Sequence, residues 1–179
     1  MHPTETSSDD RREDRPRKRL AALGFVAATV GVAAVGTLVM RGRGNPKGLW
    51  FRALRKPSYQ PPNYVFGPVW TVLYATIAYA GYRIWRAPDS KQRSVALGLW
   101  TAQLILNGAW TPLFFGARKP LIALGDMIAL DAAAIAFTAT ATAVDKPAAA
   151  LIAPYLGWLG FATALNAKIV AKNPSAVIR

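Results

Sequence analysis

The sequence predicts an all-α membrane protein, a bundle of five transmembrane helices with a structured, aromatic-rich loop between the first and second. Three observations carry that prediction. Hydrophobic residues make up 53% of the 179 residues and charged residues only 17%. The charges are gathered between long uncharged runs, each near the roughly 20 residues that a helix needs to cross a bilayer. The stretch from Trp50 to Trp70, WFRALRKPSYQPPNYVFGPVW, holds five aromatics before its final Trp, four prolines and three basic residues. That mixture is too aromatic for a soluble linker and too charged for a span, and it suits a structured segment at a membrane–water boundary.

Residues 1–19 carry eleven of the charges and read as a disordered, mixed basic and acidic tail. The transmembrane domain is expected over 20–173. Its first span, 20–40, is 21 residues without a charge. A signal peptide would also place an apolar run after a basic region. This run is long for a signal core, and RGRGNPKG rather than a small-residue cleavage site follows it, so it reads as a retained span. The second span, 65–85, carries one charge, Arg83, near its end, where the side chain can snorkel. The third, 95–115, has none, and the fourth, 121–144, contains Asp126 and Asp131. The fifth, 148–170, contains Lys168 near its end and Pro154, which should kink it or free a carbonyl. Pro120 and Pro147 stand where helices begin, positions that tolerate a missing N–H. The connections at 86–94, 116–120 and 145–147 are short, which makes consecutive helices antiparallel neighbours. Residues 174–179 form a C-terminal tail. No alternating polarity suggests a β-barrel.

Composition excludes several kinds of chemistry. There is no Cys, and the one His is His2. Disulfides, thiolate ligation and histidine catalysis are therefore outside its reach, and no metal site is expected. No phosphate loop, zinc spacing or Ser–His arrangement occurs. The net charge of +13 flanks apolar segments instead of lining one face, so anionic lipid headgroups rather than nucleic acid are its natural partner. Lys and Arg divide eleven to eleven between the two sides of a five-span topology, so orientation is undetermined, and so is the membrane.

Within the spans, polar and aromatic residues fall in stripes. Gln103, Asn107, Trp110 and Phe114 share one helical face, as do Trp158, Ala162 and Asn166, and Trp70 with Tyr74. Such stripes can line a cavity for a flat, partly polar ligand, or can hydrogen-bond and pack against neighbouring helices. Asp126 and Asp131 are costly in a bilayer and do not share a face, so they form no obvious catalytic pair. Small residues four apart in the first span, Gly24 with Ala28 and Ala27 with Gly31, allow either homodimerisation or close packing within one chain.

These motifs, in order, resemble the TspO/MBR translocator protein family, which includes the tryptophan-rich sensory proteins of bacteria and the peripheral benzodiazepine receptor. The similarity runs from about Trp50 to Asn173. It comprises WF-x2-L-x-KPSYQPP, FGPVW-x2-LY, Q-x3-N-x2-W-x3-FFGAR, Asp126 and PYLGW-x2-FATALN. The resemblance implies a dimeric five-helix receptor or binding protein for tetrapyrroles such as protoporphyrin IX, with the loop between the first and second helices capping a cavity, tuning porphyrin levels or a stress response. Transport of such ligands, or light-dependent porphyrin degradation, is the alternative it implies. By motif, the ligand-binding residues would be Trp50 and Pro61 in the loop, Trp70 and Tyr74, Asn107 and Trp110, and Trp158 and Ala162. Trp70 and Trp158 would be the catalytic pair if degradation occurs. Indole faces can stack on a porphyrin, and Arg52, Arg55 and Lys56 would meet its carboxylates at the rim. No cofactor is implied. The run LNAKIVAKN lacks the Tyr that follows LN in the mammalian sterol-recognition segment, and Ile122 replaces a mammalian pocket Trp.

Overall fold

Five helices of at least 20 residues organise the chain, and no strand occurs among the described residues. The computed structural model describes residues 8–42 and 48–174, with side chains from residue 16 onward. The order is α1 (Ser8–Arg41), α2 (Leu49–Ala53), α3 (Asn63–Arg86), α4 (Lys91–Thr111), a wide π-helical turn (Pro112–Gly116), α5 (Pro120–Val144), α6 (Lys146–Ala150) and α7 (Ala153–Lys172).

The helix ends follow local chemistry. Ser90 caps α4 by accepting from the Arg93 N–H at 3.1 Å. Asp145 caps α6 by accepting from the Ala148 N–H at 3.1 Å. Pro120 and Pro147 occupy first turns, where no N–H is needed. Pro154 cannot donate to the Ala150 carbonyl, and the fifth expected span accordingly divides into α6 and α7 around Leu151 and Ile152. Pro112 likewise removes an N–H at the end of α4. The chain opens there into the π turn, closed by Ala117 N–H donating to the Pro112 carbonyl at 2.7 Å. Arg118, at φ 57°, then reverses the chain into α5.

One expectation needs correction. Residues 8–19, read as a disordered tail from their composition, continue α1 as helix. An adjacent apolar helix removes the nucleation cost, so each added residue gains a hydrogen bond without starting a new turn. Residues 1–7 and 175–179, where the rest of both expected tails falls, lie outside the described residues.

Among the described residues, three helical segments are long and apolar enough to cross a membrane: Pro16–Arg41, Pro120–Val144 and Lys146–Lys172. The sequence predicts five spans. α3 and α4 have the length, at 24 and 21 residues, but their Trp, Tyr, Gln and Asn lower their mean hydropathy.

α5 is central, packing against α4 on one side and α7 on the other, while α1 lies on α3 and α4. Its buried residues Ala123, Met127, Leu130, Ala134, Phe137 and Ala141 recur at alternating steps of four and three, a single seam. The principal core joins that seam to Leu73, Ile77 and Ile84 of α3, Trp100 and Leu104 of α4, and Tyr155 and Leu159 of α7. Gly81 permits the closest approach: a Cβ there would lie 2.6 Å from Trp100 Nε1 and 2.8 Å from Phe25. Trp100 Nε1 donates to the Ile77 carbonyl at 2.9 Å. On α1, Gly36 faces Thr111, whereas Gly24, Ala27, Ala28 and Gly31 are exposed.

A second core gathers Phe51 and Leu54 of the α2 segment, Phe114 and Phe115 of the π turn, Ala123, Leu165 and Ile169. It fastens the loop after α1 to one end of the helices.

Candidate functional site

Tyr155 is the centre of the buried polar chemistry. Its hydroxyl donates to Gln103 Oε1 at 3.0 Å and accepts from Asn107 Nδ2 at 3.0 Å. The Tyr74 hydroxyl donates to Asn107 Oδ1 at 2.8 Å. Gln103 Nε2 turns back to the Trp100 carbonyl at 3.0 Å. One chain of hydrogen bonds thus joins α3, α4 and α7. Gln103 and Asn107, whose stripe suits either a cavity or helix packing, are here bonded between helices, and both are buried.

Aromatic rings surround this chain. Trp70 lies 5.2 Å from Tyr74, 6.4 Å from Tyr155 and 6.5 Å from Trp158, the last at an interplanar angle of 86°. Phe66 and Phe161 flank Trp158 at 5.7 and 5.5 Å, and Tyr59 of the loop reaches Phe161 at 6.3 Å. These are edge-to-face or tilted arrangements within the range where rings attract. Ala162 packs half-buried against the same core.

Trp110 belongs to both cores. It stacks on Phe114 at 5.0 Å, and Trp50 of α2 meets that Phe114 edge-on at 5.9 Å. With the Asn166 amide oriented by its partners, its oxygen accepts from Trp110 Nε1 at 3.2 Å and from the Leu124 N–H at 3.1 Å. Asn166 is 1% exposed, so this bond fixes the indole between α4, α5 and α7.

The loop is tied to α7 by polar contacts. The Asn173 side chain bonds both backbone groups of Arg55, Lys172 Nζ donates to the Lys56 carbonyl at 3.3 Å, and Tyr59 OH donates to the Ala164 carbonyl at 3.5 Å. Arg52 and Arg55 are exposed, Pro61 is half-buried, and Lys56 lies with its ammonium 4.4 Å from the centre of the Phe51 ring. Burial, and then the charge of Arg52, push the Lys56 ammonium below the ordinary lysine range.

Two carboxylates fall within α5. Asp131 Oδ2 accepts from Thr163 of α7 at 2.7 Å. Asp126 is half-buried, and its Oδ2 has no hydrogen-bond partner among the described residues.

The structure therefore brings Trp70, Tyr74, Asn107, Trp158 and Ala162 around one core, joins Trp110 to it and to Trp50, and leaves Arg52, Arg55 and Lys56 at the loop surface. Sequence reasoning missed Tyr155 and Asn173. Tyr155 is three residues before Trp158 on the same helical face, a signal available from spacing alone. Asn173 gave none, since its partner is 118 residues away.

The sequence model of the TspO/MBR family matches residues 24–171. The chain is 42% identical to the translocator protein of Homo sapiens over 147 residues, 81% of this chain and 85% of that protein. It is 38% identical to the tryptophan-rich protein TspO of Archaeoglobus fulgidus over 151 residues, covering 84% and 97%. With protein CrtK of Rhodobacter capsulatus it shares 31% identity over 131 residues, covering 71% and 80%.

Proposed function

The chain belongs to the TspO/MBR family, and on that premise we propose that it is a five-span membrane protein that binds a tetrapyrrole, protoporphyrin IX or a close relative. The observation that carries this reading is the ring cluster Trp70, Tyr74, Tyr155, Trp158 between α3 and α7, with loop residue Tyr59 reaching its edge through Phe161. Large apolar faces with hydroxyls and one amide at their edges suit a flat macrocycle that is polar only at its rim. Arg52, Arg55 and Lys56 stand on the loop above, where carboxylates of such a ligand would emerge. We take the loop as the cap over this ring cluster, lifting to admit the ligand. α3 and α4 complete the five spans because their polar groups are bonded within the bundle, to one another and to Tyr155 of α7, and not to lipid. The exposed small residues of α1 form a homodimer contact. The names of the relatives point away from an enzyme.

Protoporphyrin IX titrated in the dark into the detergent-purified chain tests this reading. The expected result is saturable, one-to-one quenching of tryptophan fluorescence, weakened by Trp158→Phe. Linear quenching, equal in both proteins, would mean partition into the micelle and would remove the reading. Transport of the same ligand is the second reading, supported by the name of the human relative. Ligand flux across sealed vesicles containing the chain decides between them.

A further inference from the structure

A groove of 420 Å³ runs between α1 and α3, lined by Ala22, Val26, Thr29 and Ala33 on one side and by residues from Thr71 to Tyr82 on the other. That volume falls in the range of about 300–1,000 Å³ typical of ligand sites. Three of its five hydroxyls, those away from the Tyr79–Tyr82 end, are already committed. Thr29 Oγ1 donates to the Val26 carbonyl at 2.9 Å, Thr71 Oγ1 to the Gly67 carbonyl at 2.9 Å, and Tyr74 to Asn107. Along that stretch an occupant therefore needs only apolar surface.

One end of the groove has the opposite character. Beyond Ala22 on α1 come Arg19, Lys18 and Arg17, and beyond Tyr82 on α3 come Arg83 and Arg86. The two helices bring these together: the Arg17 guanidinium sits 5.9 Å from the Trp85 ring centre, and Arg86 sits 5.7 Å from that of Tyr82. Tyr82 and Trp85 stack at 6.2 Å, an aromatic pair of the kind that sits at headgroup level. Asp145 engages Arg83 and the exposed Asp89 engages Arg93, and across 16–19 and 83–93 Asp89 is the one acid against seven Lys and Arg; the acids Asp9, Asp10, Glu13 and Asp14 fall nearer the N-terminus in the sequence. The span from Ala22 to Ala33 is roughly 16 Å at about 1.5 Å per residue. One leaflet of a bilayer core is about 15 Å deep.

An apolar trough one leaflet long, closed by arginines and interfacial aromatics, matches a single class of molecule. We propose that the α1–α3 groove binds one anionic phospholipid, with an acyl chain along Val26, Thr29 and Ala75 and its phosphate at Arg17, Arg19 and Arg86. The groove shares Tyr74 with the ring cluster but lies on the α1 side of α3, and the proposal rests on the proposed membrane location only, not on the tetrapyrrole.

Native mass spectrometry of the full chain, released from detergent with dioleoylphosphatidylglycerol or dioleoylphosphatidylcholine at equal concentration, tests it. One phosphatidylglycerol should be retained in preference to phosphatidylcholine. The double substitution Arg19→Gln with Arg86→Gln, both at exposed positions, should cut that retention at least about tenfold, at about 1 kcal/mol per arginine. Val26→Trp, exposed in the groove, should displace the lipid without touching the core. Equal retention of the two lipids, or unchanged phosphatidylglycerol in both variants, overturns the proposal. So does a shift from dimer to monomer in Val26→Trp with lipid unaffected, which would assign the groove to a second copy. Carbonate extraction of wild-type membranes separates the two levels. Release of the chain by carbonate sinks the membrane reading itself, whereas lipid indifference in a carbonate-resistant chain sinks this site alone.

Discussion

The side chain of Asn173 pairs with the whole peptide unit of Arg55: its Nδ2 donates to the Arg55 carbonyl at 2.9 Å, and its Oδ1 accepts from the Arg55 N–H at 2.8 Å. It also reaches back to its own helix, donating to the Ile169 carbonyl at 2.8 Å. The loop that follows α1 is thereby fastened to the end of α7 by an imitation of backbone pairing.

Asn173→Ala should release that fastening while leaving the cores intact. Two hydrogen bonds at about 0.5–1.5 kcal/mol each are lost. Amide exchange at Arg55 should then accelerate by roughly tenfold or more, with little change in thermal midpoint. Unchanged exchange at Arg55 would mean that Phe51 and Leu54 hold the loop without help.

Tyr155→Phe keeps the ring and removes the hydroxyl shared by Gln103 and Asn107. A buried acceptor and a buried donor are orphaned together, at about 1–3 kcal/mol each. Tyr74→Phe orphans only Asn107 Oδ1 and should cost less. Unfolding in detergent with added denaturing surfactant should rank wild type above Tyr74→Phe and Tyr74→Phe above Tyr155→Phe.

Gly81→Ala drives a methyl into Trp100 and Phe25. Overpacking of this sort costs about 1–3 kcal/mol. A lowered thermal midpoint is expected, with a partial return when Phe25→Leu is added to make room.

The rim should respond to alkali. Because burial and Arg52 depress the Lys56 ammonium, it discharges below the ordinary lysine value of 10.5. Binding of a dicarboxylic ligand should weaken as pH rises through that lowered value, and Lys56→Arg should remove the effect, since arginine stays charged beyond pH of about 12. The stability sign is opposite. The folded state holds the lysine proton less tightly than the unfolded chain, so Lys56 contributes rising stability as pH climbs from its folded pKa toward 10.5. Ligand titrations at several pH values, compared between the two proteins, check the first statement.

Trp70 and Trp158 stand edge to face at 6.5 Å. If the chain binds porphyrin without consuming it, light should bleach bound porphyrin at the same rate per bound molecule in the Trp70→Phe, Trp158→Phe double variant. Loss of a defined product in that variant would instead make the pair catalytic.

The helix ends were legible because prolines and charges mark them. Helix Asn63–Arg86 holds the apolar run at 65–85, and helix Pro120–Val144 holds the run at 121–144. The helical stretch at 8–19 was not legible, because composition reports burial capacity and not the helix already growing beside it. Hydropathy is lower in α3 and α4 for the reason that makes them interesting. The Trp, Tyr, Gln and Asn that lower their average are the residues that meet one another in the interior. The stripes Trp70–Tyr74 and Gln103–Asn107–Trp110 could be drawn from spacing, but whether they face a ligand or each other depends on α7, whose Tyr155 spacing alone did not single out.

The π turn at Pro112–Gly116 shifts the helical phase of its own aromatic residues. Consecutive residues of an α-helix point about 100° apart, so one face seldom claims two neighbours. Here Phe114 and Phe115 are both buried, at 1% and 8% exposure, and lie 4.8 Å from each other. The turn carries more residues per revolution than an α-helix, and the surplus brings the second ring inward. Deleting one residue between Thr111 and Gly116 would wind the segment back to α-helical pitch and rotate one of the two rings toward lipid. The aromatic floor beneath the loop is thus set by a count of residues, and a single-codon change in length would re-tile it more thoroughly than any substitution of the rings themselves.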